Sequence, residues 1–192
     1  MKFLPTTKEE MKSLGWDSID VLLISGDTYL DTSYNGSALV GKWLVEHGFK
    51  VGIIAQPEVD VPDDITRLGE PNLFFAISGG CVDSMVANYT ATKKRRQQDD
   101  FTPGGENNKR PDRAVLVYSN MIRRFFKGTT KKIVISGIES SLRRITHYDY
   151  WTNKLRKPIL FDAKADILSY GMGEMSMLQL ASALKNGEDW QN

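Results

Sequence analysis

Short apolar runs alternate with segments of helical periodicity along these 192 residues, and this alternation constrains the fold more than any other feature. Each run is apolar at consecutive positions, which is typical of strands buried on both faces of a parallel sheet. Crossover helices must then cover both faces of that sheet. The pattern predicts an α/β fold, a doubly wound three-layer sandwich around a mainly parallel five-stranded sheet. The predicted strands are 19–25, 50–55, 72–78, 132–136 and 165–170.

The segments between the predicted strands carry helix signals. Three long helices are predicted from apolar residues at helical spacing, and each is followed by a glycine that would end it. They span 39–47, 112–127 and 175–186. Asp63 is predicted to cap a further short helix, and Asp83 or Ser84 to cap another. Residues 90–113 break the alternation: they are rich in charged, amide, glycine and proline residues, and we interpret them as a loop or insertion.

Charge and cysteine content exclude several functional classes. Lys and Arg number 25 and Asp and Glu 24, so the net charge of +1 provides no global field for nucleic acid or a membrane surface. Cys81 is the only cysteine, which excludes an internal disulfide and a cysteine-built zinc or iron–sulfur site within this chain. No window approaches the roughly 20 apolar residues of a membrane-spanning helix. We therefore expect a cytoplasmic protein with no membrane partner and no metal site of its own.

Four loops follow predicted strands and would meet at the carboxyl edge of the sheet, where α/β proteins bind ligands. Their glycines allow close approach of backbone to a ligand, and free amides at helix N-termini suit anions. Taken singly, each loop is equally typical of a tight turn between strand and helix. We predict ligand or interface binding here, with no catalytic residue. The candidates are Asp27, Tyr29, Asp31, Ser78, Gly79, Gly80, Gly137, Glu139, Ser140, Gly171, Gly173 and Glu174.

The remaining motifs give weaker indications. Neither G-x-G-x-x-G nor G-x-x-x-x-G-K-[ST] occurs, which excludes the common nicotinamide and P-loop nucleotide sites. The basic runs KKRR at 93–96 and LRR at 142–144 motivate a hypothesis of RNA contact through phosphates. Arg143 and Arg144 are expected to reach a ligand phosphate, Asp27 or a partner. With His147 and the aromatic residues after it, they are predicted to form a docking surface.

Longer strings of the sequence are more distinctive than these short motifs. They are LGWDSIDVLLISGDTYLD, HGFKVGIIAQP, RLGEPNLFFAISGGCVDSMVANYTA, KRPDRA, SGIESSLRRITHYDYW and DAKADILSYGMGE. Through them the chain, over nearly its whole length, resembles the N-terminal region of the YgiQ family of radical S-adenosylmethionine (SAM) proteins. Its layout also resembles the flavodoxin-like, cobalamin-binding-like domain that precedes many radical SAM cores. SGIESS and GMGE would correspond to the two glycine-rich turns of that domain.

The resemblance implies a division of labour within a longer protein. Radical SAM catalysis needs a C-x-x-x-C-x-x-C loop, whose three thiolates hold the 4Fe-4S cluster that binds S-adenosylmethionine. This chain has one cysteine. We therefore expect residues 1–192 to be a single N-terminal accessory domain that is not catalytic alone. Its partner would be the downstream radical SAM barrel of the same polypeptide, which would hold the cluster and S-adenosylmethionine.

Two alternatives to this accessory role stay open. The domain would be a cofactor-binding module for cobalamin, flavin or a nucleotide, or it would be an RNA-contacting module. Cobalamin domains that ligate the metal through histidine place it in D-x-H-x-x-G after the first strand. Here Tyr29 stands in place of that histidine and the glycine is missing, so the resemblance implies no cobalamin ligation by that route.

Overall fold

A computed structural model describes residues 3–29 and 35–188 of the chain and contains a five-stranded sheet whose neighbouring strands are all parallel. The strands of the sheet are β1 (Val21–Ser25), β2 (Val51–Ala55), β3 (Phe74–Ser78), β4 (Lys132–Ser136) and β7 (Ile167–Leu168). Their order is β2-β1-β3-β4-β7. Two further strands, β5 (His147–Asp149) and β6 (Lys154–Arg156), form a separate antiparallel hairpin.

Helices cover both faces of the sheet. They are α1 (Lys8–Ser13), α2 (Gly36–Glu46), α3 (Pro62–Thr66), α4 (Ser84–Asn88), α5 (Ala114–Phe125), α6 (Gly137–Leu142), α7 (Ile159–Asp162) and α8 (Glu174–Asn186). Successive strand residues point to opposite faces. Leu22 and Ile24 therefore pack with α3, α5 and α7, whereas Val21 and Leu23 pack with α2 and α8. The predicted doubly wound, three-layer α/β architecture is confirmed.

The fifth predicted strand is much shorter than expected. Residues 165–170 were expected to be extended, but the strand is only Ile167–Leu168, flanked by backbone hydrogen bonds from Asp166 N–H to Ile133 and from Ser169 N–H to Ile135. The reason is local: the carboxylate of Asp166 accepts the Ile133 N–H at 2.8 Å. A side chain thus takes the place of a backbone carbonyl at the start of the strand.

Two predicted helix starts were wrong. Helix α3 begins at Pro62 rather than after an Asp63 cap, and its N-cap, Val61, makes no side-chain hydrogen bond. Proline suits the first helical position, because its missing N–H would have no partner there. Helix α6, for which the sequence predicts a cap at Ser140 or Ser141, instead follows β4 directly, because Gly137 adopts a φ of 80° that turns the chain at once. Asp83 caps α4 as predicted, accepting the Met85 N–H at 2.9 Å.

Residues 90–113, called the strap below, form an ordered loop with buried polar residues. A 3-10 turn spans Pro103–Gly105, and two isolated bridges join Tyr89 to Arg95 and Gln98 to Glu106. Asp99 and Arg110 are buried. The strap therefore belongs to the packed part of the fold, which polar composition alone did not indicate.

The sheet order places a topological switch between β1 and β3. The chain moves outward from β1 to β2 on one side, then returns past β1 to β3, β4 and β7 on the other. Flavodoxin-type sheets have this order, and their ligands bind beyond the carboxyl ends of the strands at the switch. Among the described residues, no helix is long and apolar enough to cross a membrane.

Candidate functional site

The register of the sheet brings the predicted loops to one edge. Ser25, Ser78 and Ser136 are the last residues of β1, β3 and β4, and they lie side by side in the pairing register. The loops after β1 and β3 touch: the Gly26 N–H donates to the Ser78 carbonyl at 2.9 Å. A Cβ atom added to Gly26 would collide with the backbone carbonyl of Gly79. Glycine is therefore required where the two loops cross the switch point.

An open cleft of about 690 Å³ lies at this edge between the N-terminal ends of α2 and α8. Apolar side chains of the sheet and of both helices form its walls, among them Leu23, Val40 and Met177. The predicted residues that line it are Asp27, Ser78, Gly80, Gly137, Gly171, Gly173 and Glu174. The cleft has the shape of a cofactor pocket, concave and mainly apolar with a few polar groups at its base.

Beside the cleft, a buried cation fills the switch point. The fully buried Arg110 guanidinium lies between two buried carboxylates, with Nη2 at 2.7 Å from Asp27 Oδ1 and 3.3 Å from Asp99 Oδ2. It also donates to the Gly79 carbonyl at 3.1 Å. Arg110 thus ties the strap to both loops of the switch point. Periodicity and motif spacing missed it; the only signal was its place in KRPDRA, one of the strings that carry the family resemblance.

The strap is fixed to the sheet by a second set of hydrogen bonds. Gln56, just after β2, donates to the Gly26 carbonyl at 3.0 Å and to Thr102 Oγ1 at 2.7 Å. Thr102 in turn donates to Asp99 at 2.9 Å. The Asp99 carboxylate, one of the two that face Arg110, is therefore held by Thr102 of the strap and, through Thr102, by Gln56 after β2.

Cys81 lines the cleft but is not an activated nucleophile. Burial, followed by the neighbouring Asp27 carboxylate, raises the pKa of the Cys81 thiol to about 12. Asp27 also accepts the Cys81 backbone N–H at 2.6 Å. At neutral pH the thiol is protonated, and only the thiolate is a strong nucleophile or metal ligand.

Glu139, a predicted binding residue, points into the protein instead of into the cleft. Its carboxylate accepts the N–H groups of Ser84 and Val115, at 3.1 and 3.2 Å. These groups belong to the first turns of α4 and α5, so Glu139 joins the two helix ends. Burial raises the pKa of Glu139. Ser140 is also fully buried and absent from the cleft lining.

The stretch after α6 is held by internal ion pairs. Arg143 pairs with Asp83, the cap of α4, so the expected contact with Asp27 is made by Arg110 instead. Arg113 and Arg156 both bind Asp149, at 2.8 and 3.2 Å. The hairpin of β5 and β6 is thereby attached to the start of α5.

The other predicted residues lie at different places. Arg144 is exposed and its guanidinium stacks against the Tyr170 ring, 5.4 Å from the ring centre. His147 Nδ1 lies 3.1 Å from the Ile145 carbonyl. The Tyr29 hydroxyl accepts the Leu4 N–H at 3.0 Å, turned toward the N-terminal segment. Asp31 lies outside the described residues. Within the described ranges, no group of three or more His, Cys, Asp or Glu side chains is placed to hold a metal ion.

Sequence comparison gives matches over the whole chain. The family model described as "Radical SAM N-terminal" matches residues 3–192. A UPF0313 protein of Fusobacterium nucleatum subsp. nucleatum is 97% identical over 192 residues, which is 100% of this chain and 34% of that protein. UPF0313 proteins of Thermotoga neapolitana and Methanocaldococcus jannaschii are 58% and 54% identical over 187 residues, 97% of this chain and 33% and 30% of theirs. The chain spans about a third of the length of these relatives.

Comparison of structures finds a similar fold in the radical S-adenosylmethionine methyltransferase TsrM from Kitasatospora setae. The structure of TsrM with cobalamin and a [4Fe-4S] cluster bound gives a TM-score of 0.56 and 15% identity, covering 90% of this chain and 26% of that one. TsrM with tryptophan substrate and a SAM analogue bound gives the same score and identity, covering 88% of this chain. At this identity the likeness shows the fold alone.

Proposed function

This chain belongs to the radical SAM N-terminal family, and on that premise we propose that it is the accessory N-terminal domain of a radical SAM iron–sulfur enzyme. In this role it caps the catalytic barrel of the same polypeptide and contributes to the binding of substrate. Its share of the relatives' length, about a third, supports the proposal, since it leaves room for a barrel downstream. The docking side would be the carboxyl edge of the sheet.

The residues of this chain do not fit a 4Fe-4S cluster. Three thiolates are needed to hold three of the four irons. The chain offers one cysteine, and a single thiolate cannot hold three irons. We therefore assign the cluster and S-adenosylmethionine to the downstream part of the protein.

The observation that carries the docking role is a set of exposed apolar side chains at the carboxyl edge, called the apolar rim below. Its members are Leu39, Ile138, Leu142, Ile145, Tyr170, Met172 and Met175. Met172 is 81% exposed and Ile145 63%. Large apolar side chains left exposed near one another are typical of interaction surfaces. The rim borders the cleft through Leu39, Ile138 and Met172, so a barrel seated on it would also close the cleft.

Reconstitution with iron and sulfide tests this division of labour. The isolated chain and the full-length protein are reconstituted side by side, and iron content, visible absorbance and 5′-deoxyadenosine formation are measured. We expect a cluster and S-adenosylmethionine cleavage in the full-length protein only. Far-UV circular dichroism checks that the isolated chain is folded, which is expected because its own helices cover both faces of the sheet. A 4Fe-4S cluster on the isolated chain would contradict the proposal.

A second candidate function, cofactor binding, is favoured by the cleft. Its volume of about 690 Å³ falls in the range of small-molecule sites, and it lies at the edge where flavodoxin-type sheets bind ligands. TsrM, which shares the fold, has been described with cobalamin bound. The Tyr29 hydroxyl is turned toward Leu4 in this chain, so Tyr29 would not be the ligand of a cobalamin held here.

Calorimetric titration of the chain with hydroxocobalamin, FMN and ATP tests this candidate. Val40→Trp would fill the cleft from α2 and should abolish binding, whereas Val86→Trp, at an exposed position outside the cleft lining, should leave it unchanged. If none of the three compounds gives heat of binding, the cleft is not a binding site for cobalamin, flavin or nucleotide.

A further inference from the structure

Positive charge is concentrated in two segments of the chain, although the net charge is close to zero. Residues 84–113 contain seven Lys and Arg against four Asp and Glu, and residues 137–164 contain six against three. The rest of the chain has 12 basic and 17 acidic residues. Three of the acids in the two segments, Asp99, Glu139 and Asp149, are buried, and so is one of the bases, Arg110, which leaves twelve bases against four acids outside the buried set. The surface formed by these segments is therefore strongly basic.

The structure joins the two segments through aromatic contacts. The Lys93 ammonium lies over the Tyr150 ring, 4.5 Å from its centre. The Tyr150 hydroxyl donates to the Ala91 carbonyl at 2.8 Å, and the Trp151 and Tyr89 ring centres are 5.1 Å apart. We call residues 89–96 together with 148–151 the basic–aromatic surface. It brings KKRR, from the strap, beside the aromatic residues of the hairpin.

The cations of this surface are largely free of carboxylate partners. Residues 93–96 are all exposed. Across residues 3–29 and 35–188, Lys93, Lys94 and Arg96 form no ion pair; the Arg96 guanidinium donates to the carbonyls of Val86 and Tyr89. Arg95 pairs with Asp112 at 3.5 Å, and such exposed pairs exchange partners at little cost. Several positive charges are therefore available to an anionic partner.

We propose that the basic–aromatic surface binds single-stranded nucleic acid, a role beyond capping the barrel and independent of it. Single strands are bound by positive charges that follow the phosphates and by aromatic rings on which unpaired bases stack. Both elements are present: Tyr150, whose ring lies under the Lys93 ammonium, is 48% exposed, and Tyr148, in β5 of the same hairpin, is 58% exposed. An acidic protein segment would use the charges alone, and would leave the exposed rings without a role.

Fluorescence anisotropy of the full-length protein with a labelled oligouridylate of about 12 nucleotides tests the proposal. If three phosphates are neutralised, affinity should fall roughly 20-fold between about 50 and about 200 mM salt. Replacing both Lys93 and Lys94 by Ala should lower the slope of log affinity against log salt by about 1.4. Tyr148→Ala should weaken binding on the order of tenfold, and Tyr148→Phe should restore it because the ring is kept.

A matched control removes two positive charges from another part of the protein surface. Lys8→Ala with Lys12→Ala, on α1 and outside this surface, should leave both affinity and salt slope unchanged. Oligothymidylate is run in parallel: equal binding indicates a general single-strand site, and a preference for RNA indicates a contact to the 2′-hydroxyl, and either result supports the proposal. Absence of binding at about 50 mM salt would overturn it. The proposal would also be overturned if polyglutamate of equal charge displaced the oligonucleotide and Tyr148→Ala had no effect on the affinity.

Discussion

Arg110 holds the switch point of the sheet together, because its guanidinium is shared by the loops after β1 and β3 and by the strap. Arg110→Met would keep the volume but leave Asp27 and Asp99 buried without a cation. Breaking a buried ion pair in this way costs about 3–5 kcal/mol of unfolding free energy. Urea denaturation measures the change. The control is Arg95→Met at the exposed pair with Asp112, which should cost at most about 1 kcal/mol; equal losses for both variants would refute the role given to Arg110.

Asp149 makes the stability of the folded protein depend on pH. Burial by itself raises the pKa of Asp149, but hydrogen bonds from Arg113 and Thr152 outweigh it and hold that pKa far below its usual range. A carboxylate with a lowered folded-state pKa adds stability that is complete above its unfolded pKa of about 4 and is lost as the pH falls. The stability difference between the natural chain and Asp149→Asn should therefore be constant above about pH 5 and shrink as the pH falls from about 5 to about 3.

Denaturation midpoints across this pH range check the prediction for Asp149. Asp100→Asn is the matched control, since Asp100 is exposed in the strap, and it should leave the shape of the pH profile unchanged. A difference for Asp149→Asn that stays constant down to about pH 3 would show that its ion pairs do not act as described.

At the scale of elements, the turns after β1 and β3 depend on backbone contact. Gly26→Ala should destabilise the protein by about 1–3 kcal/mol, because its Cβ would overlap the Gly79 carbonyl and backbone cannot move aside cheaply. Gly36→Ala is the matched control: its Cβ would meet open space at the start of α2, and alanine there should stabilise by up to about 1 kcal/mol. Thermal unfolding of both variants measures these stability changes. A Gly26→Ala variant as stable as the natural protein would contradict the close crossing of the two loops.

The elements that the sequence predicted are those whose signal is local. β1, β3 and β4 are apolar on both faces, so their runs identify them without knowledge of their neighbours. The hairpin of β5 and β6 carries no such signal, since it is stabilised by Asp149 binding Arg113 from a distant segment. The strap was interpreted as a loop for the same reason: its burial depends on Asp27 and Gly79, far away in the chain. Likewise, Glu139 looked like a ligand group because its partners, two helix ends, are fixed only by the tertiary fold.

At the scale of the whole molecule, the protein has three candidate binding surfaces. The cleft lies between α2 and α8, the apolar rim borders it, and the basic–aromatic surface lies where the strap meets the hairpin. Arg110 closes the switch point beside the cleft, so the space open to a ligand lies on the α2 and α8 side of the sheet. An edge of this kind suits an accessory domain that covers a barrel and meets its substrate.

Hydrogen–deuterium exchange, compared between the isolated chain and the full-length protein, tests the central claim of docking through this edge most directly. We predict slower exchange in the full-length protein for the peptides 137–145 and 170–176, which carry most of the apolar rim. Peptides from α1 and from the turn after α5 should exchange equally in both proteins. Equal exchange of the rim peptides, with protection at α1 instead, would contradict the account.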